Sequence, residues 1–141
     1  MGLNETIGIE VGTSSAEGAV GTMPIGSGVL QPYGFLHGGA TIALLEAVAS
    51  AAAAHHADLE TERPFGVDVH VRHRKSGRAG VLTGIAELDH VEPSQVGMKQ
   101  FWRVRAIDDE GDVVSDGTVM TKVVPLAYLA EKEKASPEGL A

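Results

Sequence analysis

Gln31-Pro32-Tyr33-Gly34-Phe35-Leu36-His37-Gly38-Gly39 runs directly into residues 40–54, an alanine- and leucine-rich segment with no proline, no glycine and one ionisable side chain, Glu46. Alanine and leucine over that length specify a helix, extending from residue 40 to about residue 56. A glycine pair closing a loop at the mouth of such a helix leaves backbone N–H groups directed outward, where they can bind a developing negative charge. Positions 42, 46, 49, 50 and 53 share one face and read Ile, Glu, Ala, Ser, Ala, while 44, 45, 48 and 52 form an adjoining apolar surface. Both surfaces read as buried. A helix this poor in charge has to be enclosed on most sides, which a curved antiparallel sheet wrapped around it provides.

The flanking sequence supplies that sheet. Residues 7–11 and 18–25 read as a hairpin around the turn-rich residues 12–17, and alternation marks strands at 65–73, 81–90, 96–107 and 113–124. The expected fold class is therefore α+β, with about six strands around one long central helix. Residues 1–125 form one domain in this reading, and 126–141 a charged tail, a short helix or disordered. The chain's 141 residues, 43% of them hydrophobic, suit one compact core.

Composition removes several functions. With no cysteine there is no disulfide framework, no thiolate nucleophile and no cysteine zinc site. A net charge of −8 argues against nucleic-acid binding. The apolar segment reads as too short and too alanine-rich to span a bilayer, the N-terminus lacks a leader pattern, and a cytoplasmic location without membrane contact is the expectation. Four of the eleven basic side chains, Arg72, Arg74, Lys75 and Arg78, fall within seven residues. That cluster is either a solvated strand end or a site for a small phosphorylated ligand.

Other motifs dissolve into structure. His55 and His56 point in different directions on a helix, and His70 and His73 lie on opposite faces of a strand, so no metal is expected. Asp108-Asp109-Glu110-Gly111-Asp112 reads as a hairpin turn without calcium-loop spacing, and Gly26-Ser27-Gly28 as a turn without phosphate-loop spacing. Glu46 is harder to dismiss, because its helical neighbours Ile42, Ala43, Ala49 and Ser50 include no cation. Two readings stay open: an exposed carboxylate or one paired with Arg103 or Arg105, and an unpaired carboxylate held for chemistry.

With Gln31, Gly34, His37-Gly38-Gly39 and Glu46 in this order, the chain resembles the hotdog-fold acyl-CoA thioesterases of the phenylacetate-pathway and 4-hydroxybenzoyl-CoA type. Gln at the first position, and Glu on the helix with Ser50 one turn later, look most like the 4-hydroxybenzoyl-CoA branch. The resemblance covers roughly residues 5–124 and implies hydrolysis of an acyl-CoA thioester to acid and CoA, without a cofactor. It implies that Gly38 N–H binds the thioester oxygen and that Glu46 acts as nucleophile or general base. Gln31 and Ser50 would orient thioester or water, His37 would fix the loop, and Gly39 would contact substrate. Residues 73–77 read His-Arg-Lys-Ser-Gly where the family commonly has a Leu-Arg-Pro-Ala-like segment, so the CoA arm is assigned on charge alone: Lys75 and Arg78 in the turn first, then Arg74. Acyl carrier protein is the competing donor.

Two further hotdog activities fit less well. Hotdog dehydratases place a histidine before Phe-Pro and a glutamate about two heptads later, whereas His37 precedes Gly-Gly and residue 51 is alanine. A non-catalytic acyl-CoA-binding protein has no evident use for an unpaired Glu46. Eight helical residues rise about 12 Å, too far for Gly38 and Glu46 to act on one carbonyl. The expected site is thus shared by two chains in a homodimer, and the resemblance implies that such dimers often pair into tetramers.

Overall fold

The computed structural model describes residues 2–135. Helix α1 (Leu3–Ile7) precedes a hairpin of β1 (Glu10–Ser15) and β2 (Gly18–Pro24). A 3-10 turn at Ser27–Val29 leads to α2 (Gly38–Ala53), which continues into a second 3-10 turn, Ala54–His56. Four long strands follow, β3 (Glu62–His73), β4 (Val81–Pro93), β5 (Met98–Ile107) and β6 (Val113–Pro125), and then α3 (Leu126–Ala135). The six strands form one antiparallel sheet in the order β1-β2-β4-β5-β6-β3, with α2 packed against it. This is the hotdog architecture the sequence pointed to. Of the tail, residues 126–135 are helical, and the rest lies outside the described residues.

Several boundaries differ from the sequence reading: β1 runs on to Ser15, through most of the stretch 12–17 expected as a turn, and β3 and β4 are each longer by three residues. The strand expected at 7–11 is instead the end of α1 followed by β1: the Thr6 backbone N–H and hydroxyl both donate to Gly2 O, and Gly8, at φ 80°, ends the turn. Local hydrogen bonds and a left-handed glycine override the β-branched character of Ile7. Helix α2 starts at the glycine pair itself rather than at Ala40, because the His37 imidazole Nδ1 accepts from Gly39 N–H at 2.8 Å and caps the first turn. The cap offsets the poor helix propensity of glycine.

The apolar run also proves longer than it reads. Gly38–His56 is long and apolar enough, by length and composition, to cross a membrane. Here it is the core helix of the sheet. Leu44, Leu45, Val48, Ala49, Ala52 and Ala53 are fully buried, and Met23, Leu82 and Trp102 meet them from the strands. Each large aliphatic side chain contributes about 1.5–3 kcal/mol by leaving water. The opposite side of α2, with Ile42, Ala43, Glu46, Ala47, Ser50 and Ala51, is only half-buried. Below the helix, Trp102 Nε1 donates to Thr121 Oγ1 at 2.8 Å and Thr121 Oγ1 donates to Gln100 Oε1 at 2.8 Å, so these three buried side chains of β5 and β6 satisfy one another.

Strand glycines set the distance between helix and sheet. A Cβ on Gly21 would lie 2.8 Å from Val48 Cγ1, and one on Gly84 2.8 Å from Leu44 Cγ. Both side chains are fully buried and have little room to yield. Gly84→Val is therefore expected to destabilise the fold by roughly 1–3 kcal/mol through overpacking. Thermal or urea unfolding measures this, and an unchanged midpoint would show that α2 has slack over β4.

Candidate active site

The loop before α2 is built by its own glutamine. Gln31 Oε1 accepts from the backbone N–H groups of Tyr33 (2.5 Å) and Phe35 (3.3 Å), Gln31 N–H donates to Phe35 O (2.7 Å), and Gly34 takes φ 90°. The side-chain oxygen is thereby used within the loop, and the amide NH2 is the end of Gln31 left for a ligand. Leu36 N–H donates to Gly77 O and His37 N–H to Val29 O, tying the loop to the segment after β3 and to the first 3-10 turn.

His37 and the glycine pair divide the work at the helix mouth. Gly39 N–H is taken by His37 Nδ1, and the Ala40 and Thr41 N–H groups donate to His37 O. Gly38 N–H has no partner among the described residues. It is a first-turn donor at the positive end of a sixteen-residue helix, open to an incoming oxygen. It borders a hollow of about 240 Å³ lined by Gln31, Phe35, Thr41, His73 and Lys75 among others.

Glu46 lies two turns along α2, half-buried, with no ion pair among the described residues. The pairing with Arg103 or Arg105 that the sequence left open is not made. Arg103 binds Asp89, and Arg105 binds Glu87 and, with its hydrogen bond, holds that carboxyl below the ordinary range. Glu46 instead rests over β3, where a Cβ on Gly66 would stand 2.8 Å from its carboxyl carbon. It shares a groove of about 620 Å³ with Gly39 and Ser50, across the open side of α2.

The basic cluster is split. Lys75 is not the free side chain its place in a turn suggests: Nζ sits 2.7 Å from both Asp108 and Asp112 and 3.5 Å from Glu110. The acidic turn between β5 and β6 folds back onto it, a pairing between residues far apart in sequence. Hydrogen bonds to Asp108 and then Asp112 raise the Lys75 pKa above its ordinary value. Arg74 Nε donates to Asp116 at 2.9 Å on the outer face, while the Arg78 guanidinium lies 4.6 Å from the ring centre of Phe35, whose side chain helps line the Gly38 hollow. Sequence reading missed three neighbours of the site: Gly66, His73 and Ser115. A glycine inside a strand is itself a sign of close approach, but nothing local marked Ser115, and the spacing of His70 and His73 was informative only about metals.

The thioesterase superfamily pattern matches residues 33–115. The chain is 37% identical over 109 residues to a 1,4-dihydroxy-2-naphthoyl-CoA hydrolase of Listeria monocytogenes, covering 77% of this chain and 85% of that one. Among solved structures it resembles a mutant of thioesterase PA1618 from Pseudomonas aeruginosa (TM-score 0.79, 27% identity, 88% and 86% of the two chains). It is equally close to a mutant of thioesterase SAV0944 from Staphylococcus aureus (TM-score 0.80, 27% identity, 87% and 98% covered). The chain belongs to the thioesterase superfamily. It is a thioester hydrolase built on the hotdog fold.

The Lys75 cluster gives a pH dependence with a definite sign. The hydrogen bond from Lys75, with backbone donors at Asp112 and Glu110, holds the Asp108 pKa below its ordinary value. A carboxylate depressed in the folded state stabilises the protein above its unfolded pKa, near 4, and that contribution is lost as pH falls through the folded value. Lys75→Met should lower stability at neutral pH and flatten its decline below about pH 4. Denaturation midpoints across pH 2–7 test this; parallel profiles for both proteins would refute it.

Proposed function

We propose that the protein hydrolyses an acyl-CoA thioester at a site built by two subunits, with Gly38 of one and Glu46 of the other. One observation carries this reading. Glu46 rests against Gly66 and Gly38 against His73, two positions on the same strand β3, which lies at the sheet edge with its outer side unpaired among the described residues. An edge of twelve residues with Phe65 and Val67 exposed is suited to pairing with another strand. Antiparallel pairing of two copies of β3 about a twofold axis near Val69 and His70 sets Gly66 of one chain opposite His73 of the other. Glu46 of the partner subunit then faces Gly38, which closes the separation of about 12 Å along one helix.

In that arrangement the thioester oxygen sits on Gly38 N–H, and the helix terminus stabilises the charge that develops there. Glu46 either takes a proton from the attacking water and passes it to the departing sulfur, or attacks the carbonyl carbon itself; in both routes the C–S bond breaks to release CoA, and in the second water then cleaves the Glu46 anhydride to free acid and the restored carboxylate. The Gln31 amide NH2 and the Ser50 hydroxyl orient thioester or water, and His37 keeps the glycine turn in shape. The CoA phosphates are met first by Arg78, with Arg74 behind it; Lys75 shapes the wall through its acidic partners. The naphthoyl-CoA hydrolase among the relatives supports CoA as the thiol, and a hydrolysis screen over aromatic, short-chain and long-chain acyl-CoA esters identifies the acyl class.

Glu46→Ala should lower kcat on the order of 10³-fold or more with the melting temperature nearly unchanged. Full turnover by that variant would overturn the assignment. Gly38→Val and Glu46→Ala proteins, each inactive alone, should recover roughly a quarter of wild-type activity after equal mixing and subunit exchange, because half of the dimers then carry one intact site. Absence of recovery after proven exchange would refute a shared site. Arg78→Ala should raise KM for the best CoA ester at low salt and leave kcat nearly unchanged; an unchanged KM places the phosphates elsewhere.

A further inference from the structure

The hollow at Gly38 contains a second polar group directed at the same space. His73 ends β3, and its Nδ1 lies 2.7 Å from Ser115 Oγ, its register partner on β6. Its Nε2 lies 2.6 Å from the point where a Cβ on Gly38 would stand, so the imidazole fills the space that the missing side chain leaves open. Ser115 is fully buried, and His73 is the one side-chain partner of its hydroxyl among the described residues. A buried hydroxyl proton without an acceptor is costly, so Ser115 donates to Nδ1. That assigns the neutral ring's proton to Nε2, the nitrogen beside Gly38.

We propose that His73 Nε2–H is the second donor of the oxyanion hole, with Ser115 as the positioning residue that fixes its tautomer and orientation. The assignment rests on the reading that the thioester oxygen binds Gly38 N–H. It requires no proton transfer at His73. As the C–O bond forms and the carbonyl electrons move onto oxygen, Nε2–H and Gly38 N–H share the charge, and both hydrogen bonds relax when the C–S bond breaks. A neutral imidazole is a suitable donor here because it stabilises the oxyanion without protonating it. Glycine at position 38 acquires a second requirement, since a methyl group there would push the ring off the substrate oxygen.

The test uses the whole purified protein and its best acyl-CoA ester. His73→Ala should lower kcat by about 10²–10³-fold with KM within roughly threefold of wild type. His73→Gln, whose amide nitrogen can reach the position of Nε2, should restore a measurable part of that loss. Ser115→Ala should lower kcat by about tenfold in the wild-type background and have no further effect in the His73→Ala background, because its role passes through the ring. A purely structural serine would cost the same in both. If wild type turns over and Glu46→Ala does not, the earlier reading stands, and a kcat for His73→Ala within threefold of wild type overturns the His73 assignment alone. A loss confined to acyl groups bearing a hydroxyl, or equal losses in the Ala and Gln variants with raised KM, overturns it as well. If wild type hydrolyses no thioester, or Glu46→Ala remains active, the earlier reading fails and this assignment falls with it.

Discussion

The close approach of α2 to the sheet governs the rest of this structure. Val48, Leu44 and Glu46 descend onto Gly21, Gly84 and Gly66, and at each position a Cβ would stand within 3 Å of the helix side chain. A helix so near the strands has room only for small or closely fitted apolar side chains against most of the sheet, which is why Ala49, Ala52 and Ala53 stand beside Leu44, Leu45 and Val48 on its fully buried side. The same approach brings Glu46 down to the level of β3 and the helix mouth up against the end of that strand. Packing and site geometry are therefore one constraint.

The glycine turn shows how the sequence encodes that constraint and how far it can be read. His37-Gly38-Gly39 followed by an apolar helix announced both the helix start and an outward donor, because caps and glycines act over three or four residues. The six-strand sheet was legible for a similar reason: alternation is local, and its turns carry glycine, proline or acidic clusters. Errors arose where local signals conflict. Ile7 favours strand by side-chain shape, yet the hydrogen bonds from Thr6 to Gly2 and the left-handed Gly8 wind it into α1.

The site was only half legible, and the missing half consists of contacts between distant strands. Gln31, His37, Gly38, Glu46 and Ser50 lie within twenty residues and were singled out as candidates by the resemblance of that stretch to a family motif. His73 meets Ser115 across β3 and β6, and Lys75 meets Asp108 and Asp112 across the loops that follow β3 and β5. No window of sequence contains such pairs. A turn lysine looks free until the turn that binds it is placed beside it, and a strand histidine looks structural until the helix mouth arrives against its ring.

Lys75 lies two residues beyond the end of β3, so its grip on the acidic turn also anchors the strand that carries His73. Most of the molecule is held by apolar burial, whose strength per unit area levels off on heating. A cluster of one ammonium and three carboxylates behaves differently, because the cost of stripping water from charges falls as temperature rises. The end of β3 is thus secured by the kind of interaction that warming weakens least, and that part of the candidate site's wall is set to keep its shape while the apolar contacts around it gain nothing further from heat.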